Sequence, residues 1–211
     1  MAVDAQWDNV AAMLPLSADF SDARGNTSFF GTNSGIADTV GDPFGAGDAA
    51  YFDGTAAGFN YSGGAVSCGY VDLSNDFSIQ FAFYPEDGGH GSADSILLQI
   101  GEADAADSLR IIADSTDDPM RLRVAYHDGG GYQELIAAPF ATITDDDWHW
   151  LQLDRVTNTF TLYVDGARYS QATLNISLGG ENIHIGQDGA SQSLFKGWMS
   201  QIRVTQALRA S

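Results

Sequence analysis

The chain has one cysteine, Cys68, so no disulfide closes within it and its stability must come from a packed core. Cys68 lies in an apolar-looking segment and reads as a small buried hydrophobe. Basic residues are scarce as well: nine Lys and Arg stand against 28 Asp and Glu, a formal net charge of −19. Such a surface repels phosphate backbones and anionic headgroups, which argues against nucleic acid and membranes as partners. No stretch approaches the roughly 18 apolar residues of a membrane span. The N-terminus shows neither the basic nor the apolar region of a cleaved secretory signal, so none is expected. Helical periodicity beyond about two turns is missing too. With no sign of export, the Asn-x-Ser/Thr triplets at Asn26, Asn60 and Asn175 carry no information.

Glutamate is the scarcer acid. Only Glu86, Glu102, Glu134 and Glu181 occur, and no two are near neighbours in sequence. Glycosidases need two carboxyl groups flanking one glycosidic bond, often from one strand. That pattern is missing here, and no Glu-x-Asp-x-x-Glu occurs. His90, His127, His149 and His184 have no sequence context that marks a nucleophile's base, so no catalytic residue is assigned and the chain reads as non-enzymatic. The aspartates suit turns, where a short carboxylate bonds nearby backbone. They are also the usual short-armed oxygen ligands of calcium.

What is plentiful is material for strands and tight turns. Hydrophobic residues make up 44% of the chain and glycine contributes 24 positions, enough for a large core joined by many surface turns. Residues 5–14 read as an opening strand or short turn burying Trp7, Val10 and Leu14. Ser17 to Asp48 reads as loops and one short irregular strand, held by Phe29, Phe30 and Phe44. Ala49–Gly54 reads as a strand ending in Asp-Gly. Phe77, Ile79, Phe81 and Phe83 alternate with Ser78, Gln80, Ala82 and Tyr84, a period-2 strand with one strongly apolar face, stopped by Pro85. Strands follow at Ser95–Ile100 and Leu109–Ala113, then a hairpin of Met120–Tyr126 and Tyr132–Ala137 around Asp128-Gly-Gly-Gly131. In the next strand Trp148, Trp150 and Gln152 share one parity and His149, Leu151 and Leu153 the other, which predicts cover on both faces. Phe160–Val164 ends in Asp165-Gly166, a hairpin signal because the tight turn needs positive φ. No boundary or internal repeat interrupts residues 1–211. These strands predict one all-β domain, a two-sheet antiparallel jelly-roll sandwich.

The order of motifs resembles a known family. Phe44-Gly-Ala-Gly-Asp-Ala-Ala-Tyr-Phe-Asp-Gly54, Asp76-Phe-Ser-Ile-Gln-Phe-Ala-Phe-Tyr-Pro85, Asp147-Trp-His-Trp-Leu151, Thr161-Leu-Tyr-Val-Asp-Gly166 and Phe195-Lys-Gly-Trp-Met-Ser-Gln-Ile-Arg-Val204 are together similar to laminin-G-like domains of the concanavalin A-like jelly-roll class, of the type found in phage structural proteins. Thr55-Ala-Ala-Gly-Phe-Asn-Tyr61 departs from the family's pattern.

The resemblance implies function in two directions. The pentraxin-related members suggest a calcium site, with Gln187, Asp188 and Gln192 after the Ile183–Gly186 strand and Asp107 near the family's first acidic ligand; Asp114, Asp117 and Asp118 form a rival acidic cluster. The class includes lectins, for which Tyr61, Tyr126, Tyr132 and Tyr169 are available near turns. A fold common outside cells, on a chain without an export signal, suggests a virion component released by lysis. The expected role is that of a phage surface protein, a capsid decoration or tail-associated protein, partnered by capsid or tail proteins and by glycans and assembled as a homo-oligomer. The alternative is a carbohydrate-binding lectin module, with or without calcium. The expected location is the virion, or otherwise the extracellular space.

Overall fold

The computed structural model describes residues 9–14, 29–30, 49–54, 66–86, 94–102, 104–114, 120–137, 143, 146–178, 180–187 and 194–206. Fourteen strands run through them: β1 (Val10–Leu14), β2 (Phe29–Phe30), β3 (Ala50–Asp53), β4 (Val66–Asp72), β5 (Phe77–Pro85), β6 (Asp94–Ile100), β7 (Leu109–Asp114), β8 (Arg121–His127), β9 (Tyr132–Ala137), β10 (His149–Val156), β11 (Thr159–Val164), β12 (Ala167–Thr173), β13 (Gly180–Ile185) and β14 (Lys196–Gln206). One sheet has the order β1-β14-β5-β10-β11-β12, with β3 also on β14; the other has the order β2-β4-β13-β6-β7-β8-β9. All named strand pairs are antiparallel. The expected jelly-roll sandwich is the fold.

β5 shows why the sheets close on each other. Phe77, Ile79, Phe81 and Phe83 are fully buried, each side chain contributing on the order of 1.5–3 kcal/mol before entropy is deducted. They join Leu151 and Leu153 of β10, Phe160 and Leu162 of β11 and Met199 of β14 in one cluster with Ile100, Ile111 and Val124 of the facing sheet. β14 stays in register with this core through a bulge. Its pairing to β5 shifts between Ser200 and Arg203, and Gln201 takes φ 58°. The extra residue lets Met199, Ile202 and Val204 all face inward.

The Asp165-Gly166 signal is realised as a tight turn, with φ of 50° and 77°. At the Asp128-Gly131 tip, the Asp128 carboxylate accepts the Gly130 and Gly131 N–H groups. Gly186 follows β13 with φ 74°, and a Cβ there would strike the ring of Phe52, so both backbone and packing require glycine.

Two strands were not expected. β4 contains Gly69, which lowers strand propensity, but pairing with β2 on one side and β13 on the other holds it. β12 is a polar edge strand, so it carries no apolar alternation to read. One expectation is corrected: β10 is not covered equally on both faces. His149, Leu151, Leu153 and Arg155 are buried, whereas Trp150, Gln152 and Asp154 are half-buried on the face away from the core. Trp7, Phe44 and the side chains of Leu14 and Cys68 lie outside the described residues.

Arg155 braces one end of the sandwich. Buried to 4% exposure, its guanidinium donates to the carbonyls of Leu73, Thr157 and Ile176. Burial lowers its pKa, opposed by nearby Asp76.

Candidate functional site

The metal set expected from the sequence does not come together as one group. Asp107 is exposed in the turn before β7, where its N–H donates to His127 O. Ile100 pairs with Leu109 and also with Ile183, so Asp107 sits at the Ile183 end of these strands. Gln187 leaves the opposite end, beyond Gly186, whose N–H donates to Leu97 O. About 13 Å of strand rise separates the two ends. Asp107 is therefore not a partner of Gln187. Asp188 and Gln192 lie outside the described residues, and among those described no three His, Cys, Asp or Glu converge on a metal. Gln187 itself is informative: it is 1% exposed, and neither of its carboxamide atoms has a hydrogen-bond partner among the described residues. An orphaned carbonyl oxygen of that kind fits a calcium ligand. In the rival cluster, Asp114 is committed to Arg123 at 3.2 Å, and Asp117 and Asp118 lie outside the described residues.

Among the described residues, His127, His149, Tyr126, Tyr132 and Tyr169 serve hydrogen bonding and packing, and His184 is buried. His149 Nδ1 lies 2.9 Å from Asp165 Oδ2 and its ring rests against Phe83. His127 Nδ1 accepts the Gly129 N–H. Tyr132 stacks under the Arg110 guanidinium, 3.7 Å from its ring centroid, and shares a hydrogen bond with Ser108. Tyr126 and Tyr169 pack against the main core. His90 and Tyr61 lie outside the described residues.

A different set of aromatics gathers on the face of the first sheet that points away from the core. Strict alternation on β5 puts Tyr84 there. The register then sets Trp198 beside Tyr84 and Tyr51 beside Trp198, while Trp148 enters β10 one residue ahead of His149, which pairs with Phe83. Tyr51 and Trp198 have ring centroids 4.7 Å apart, Tyr84 and Trp198 5.0 Å at 88°, and Tyr84 and Trp148 5.7 Å at 66°. All four are half-buried. Trp150 follows on the same face, opposite the small side chain of Ala82, which pairs in turn with Ser200. The Trp198 Nε1–H is buried without an acceptor among the described residues.

Carboxylates rim this cluster. Tyr51 donates its hydroxyl to Glu86 at 2.8 Å, and the same Glu86 oxygen lies 3.0 Å from Lys196 Nζ. Asp146 donates its N–H to Pro85 O, and Asp147 caps the Trp148 N–H. Desolvation, reinforced by Asp146, Asp147 and Glu86, raises the pKa of the Tyr84 phenol. Further along the same face a polar ladder crosses β5 and β10. Gln80 Nε2 donates to Gln152 Oε1 at 2.9 Å, Gln152 Nε2 donates to both Asp154 oxygens at 2.9 Å, and Ser78 donates to Asp154 at 2.6 Å.

The family model of the concanavalin A-like lectin/glucanases superfamily, laminin G type, matches residues 59–211. The chain belongs to this superfamily. Among curated proteins none matches it in sequence. As a member of the superfamily it is similar in fold to several solved structures. One is domain 4 of AbnA, an extracellular GH43 arabinanase from Geobacillus stearothermophilus solved with arabinotriose: TM-score 0.67, 17% identity, 94% of this chain and 93% of that one. The binding domain of botulinum neurotoxin serotype G gives TM-score 0.65 at 10% identity over 96% of this chain and 49% of that one. Tailspike protein 2 of the Escherichia coli O157:H7 bacteriophage CAB120 gives 0.62 at 12% identity, over 86% of this chain but only 26% of the tailspike. These likenesses establish the fold and leave the ligand to be argued from this chain's own residues.

The aromatic cluster was missed because the tyrosines chosen from sequence were those nearest turns. The usable signal was parity: Tyr84 stands on the polar side of β5, and Trp148 and Trp150 stand on the side of β10 that also carries Gln152.

Proposed function

We propose that this protein is a non-catalytic glycan-binding module whose recognition surface is the outer face of the first sheet. The observation that carries the reading is the Tyr51–Trp198–Tyr84–Trp148 cluster on the side of the sheet opposite the core. Half-buried Trp and Tyr offer rigid apolar ring faces with polar tips, and such a patch on a soluble domain marks a contact surface. Sugar rings present apolar C–H faces to such aromatics and hydroxyls to the Gln80–Gln152–Asp154 ladder. The likeness to an arabinanase domain solved with arabinotriose supports the same reading. Binding is favoured over hydrolysis because two carboxylates on this face, Glu86 and Asp154, are engaged, the first by Tyr51 and Lys196 and the second by Ser78 and Gln152. A glycan array probed with purified protein, in calcium and in chelator, tests the reading; saturable binding lost in Trp198→Ala supports it, and an array without saturable binding rejects it.

Calcium and the virion extend the proposal. The orphaned Gln187 carboxamide supports a calcium site built with Asp188 and Gln192, without Asp107. The fold likeness to a phage tailspike supports a place on a virion surface, beside capsid or tail proteins and as a homo-oligomer. Proteomics of purified phage particles that encode the chain checks this: a stoichiometric band supports it, and its absence from intact particles refutes it.

A further inference from the structure

The charge and hydrogen-bonding pattern of the outer face names a class of glycan, on the premise that this face binds glycans at all. We infer that its ligand is an uncharged glycan chain lying along the strands, with ring faces on the aromatic end and hydroxyls on the Gln80–Gln152–Asp154 ladder.

At the aromatic end three carboxylates, Glu86, Asp146 and Asp147, face one ammonium, Lys196, and that ammonium is tied to Glu86 at 3.0 Å. A uronate, sialate or sulfate brought there meets like charge with no cation released to receive it. Like-charge juxtaposition rejects a partner strongly, and the chain's net charge of −19 adds a long-range field of the same sign.

The ladder carries the same preference in another form. Its hydrogen bonds all run one way, from Gln80 through Gln152 to Asp154, with Ser78 joining at the carboxylate. The terminal acceptor is therefore satisfied from inside. Beyond the ladder, Gln80 keeps a second N–H and its Oε1, a neutral donor–acceptor pair suited to hydroxyls. Arg203, opposite Gln80 in the register, directs its Nε–H to Thr205 Oγ1.

Tyr84 and Gln80 lie on the same face of one strand, about 13 Å apart by strand rise. A single sugar cannot touch both. A chain of several sugars can, so affinity should grow with oligomer length until both ends are occupied.

The test is affinity electrophoresis of the purified chain in native gels cast with neutral polymers (linear arabinan, β-glucan, mannan) or acidic ones (polygalacturonate, hyaluronate, polysialic acid), at low and high salt. The expected result is retardation by at least one neutral polymer, indifferent to salt, and by no acidic polymer. Gln152→Ala should weaken retention by the polymer about tenfold. Asp147→Lys, at an exposed position, should begin to retain acidic polymers at low salt, where surface charge is least screened. Retention of the unaltered protein by an acidic polymer, lost in high salt, overturns this inference but leaves the glycan-binding reading intact. Retention by neither set overturns both. Neutral-polymer binding unchanged in Gln152→Ala, with the fold intact by circular dichroism, removes the ladder from the site.

Discussion

The ring of Trp198 meets Tyr84 edge-on, with centroids 5.0 Å apart and planes at 88°. The two residues are cross-strand neighbours on β14 and β5, and their contact lies on the side of the sheet away from the core. Edge-to-face pairs contribute about 0.5–1.5 kcal/mol beyond the area they bury. That is too little to make this cluster essential to a sandwich that already buries a full phenylalanine stripe on the other face.

Trp198→Ala should therefore separate binding from folding. Stability measured by urea denaturation is expected to fall by about 1–3 kcal/mol, leaving the protein folded. Glycan affinity is expected to drop at least about tenfold. Unchanged glycan affinity in a folded Trp198→Ala protein would move the recognition surface elsewhere.

Tyr84 should also report on pH. Desolvation and the surrounding carboxylates raise its phenol pKa in the folded protein. Above pH 10 the unfolded chain then gives up this proton before the folded one does. The contribution to stability is fully present below the unfolded pKa and is lost as pH rises through the folded value. Phenolate absorbance of the wild type minus that of Tyr84→Phe should titrate above the ordinary tyrosine range. A difference titration at or below that range would contradict the placement of Asp146, Asp147 and Glu86 around the ring.

The sequence was far more legible for the fold than for the site, and the reason lies in which residues carry each signal. The buried stripe on β5 alternates strictly, and Asp165-Gly166 announces its own turn, so core and topology show through periodicity and local backbone chemistry. The aromatic cluster instead joins Tyr51, Tyr84 and Trp198, from three strands, with Trp148, the residue before a fourth, and only register brings them together. The Gln80–Gln152 contact crosses 72 positions, and nothing local to either glutamine announces it. Asp107 and Gln187 show the converse: family resemblance put them in one set, and the pairing of β6, β7 and β13 sets them at opposite ends.

Arg155 offers a test of the fold's bracing. It satisfies the carbonyls of Leu73, Thr157 and Ile176 from a buried position. Arg155→Met keeps much of the packing but removes the donors, and a buried acceptor left unpaired costs roughly 1–3 kcal/mol. The expected loss is about 3 kcal/mol by chemical denaturation, with Arg155→Lys intermediate because an ammonium cannot reproduce the planar fork. A loss confined to a few tenths of a kcal/mol would mean that water takes over those carbonyls.

Gln187 gives the sharpest reading of the calcium proposal, because its two possible roles predict opposite signs. A buried carboxamide without partners destabilises the metal-free fold, and an apolar residue of similar size removes that penalty. In chelator, Gln187→Leu is expected to be as stable as the wild type or more so, by about 1 kcal/mol. In calcium the order should reverse: the wild type should gain about 2.7 kcal/mol when the ion is at one hundred times its dissociation constant, and the variant should gain far less. Thermal unfolding of both proteins, with calcium and with chelator, reads all four states. A wild type whose melting temperature ignores calcium removes the site, and a variant that still responds fully removes Gln187 from it.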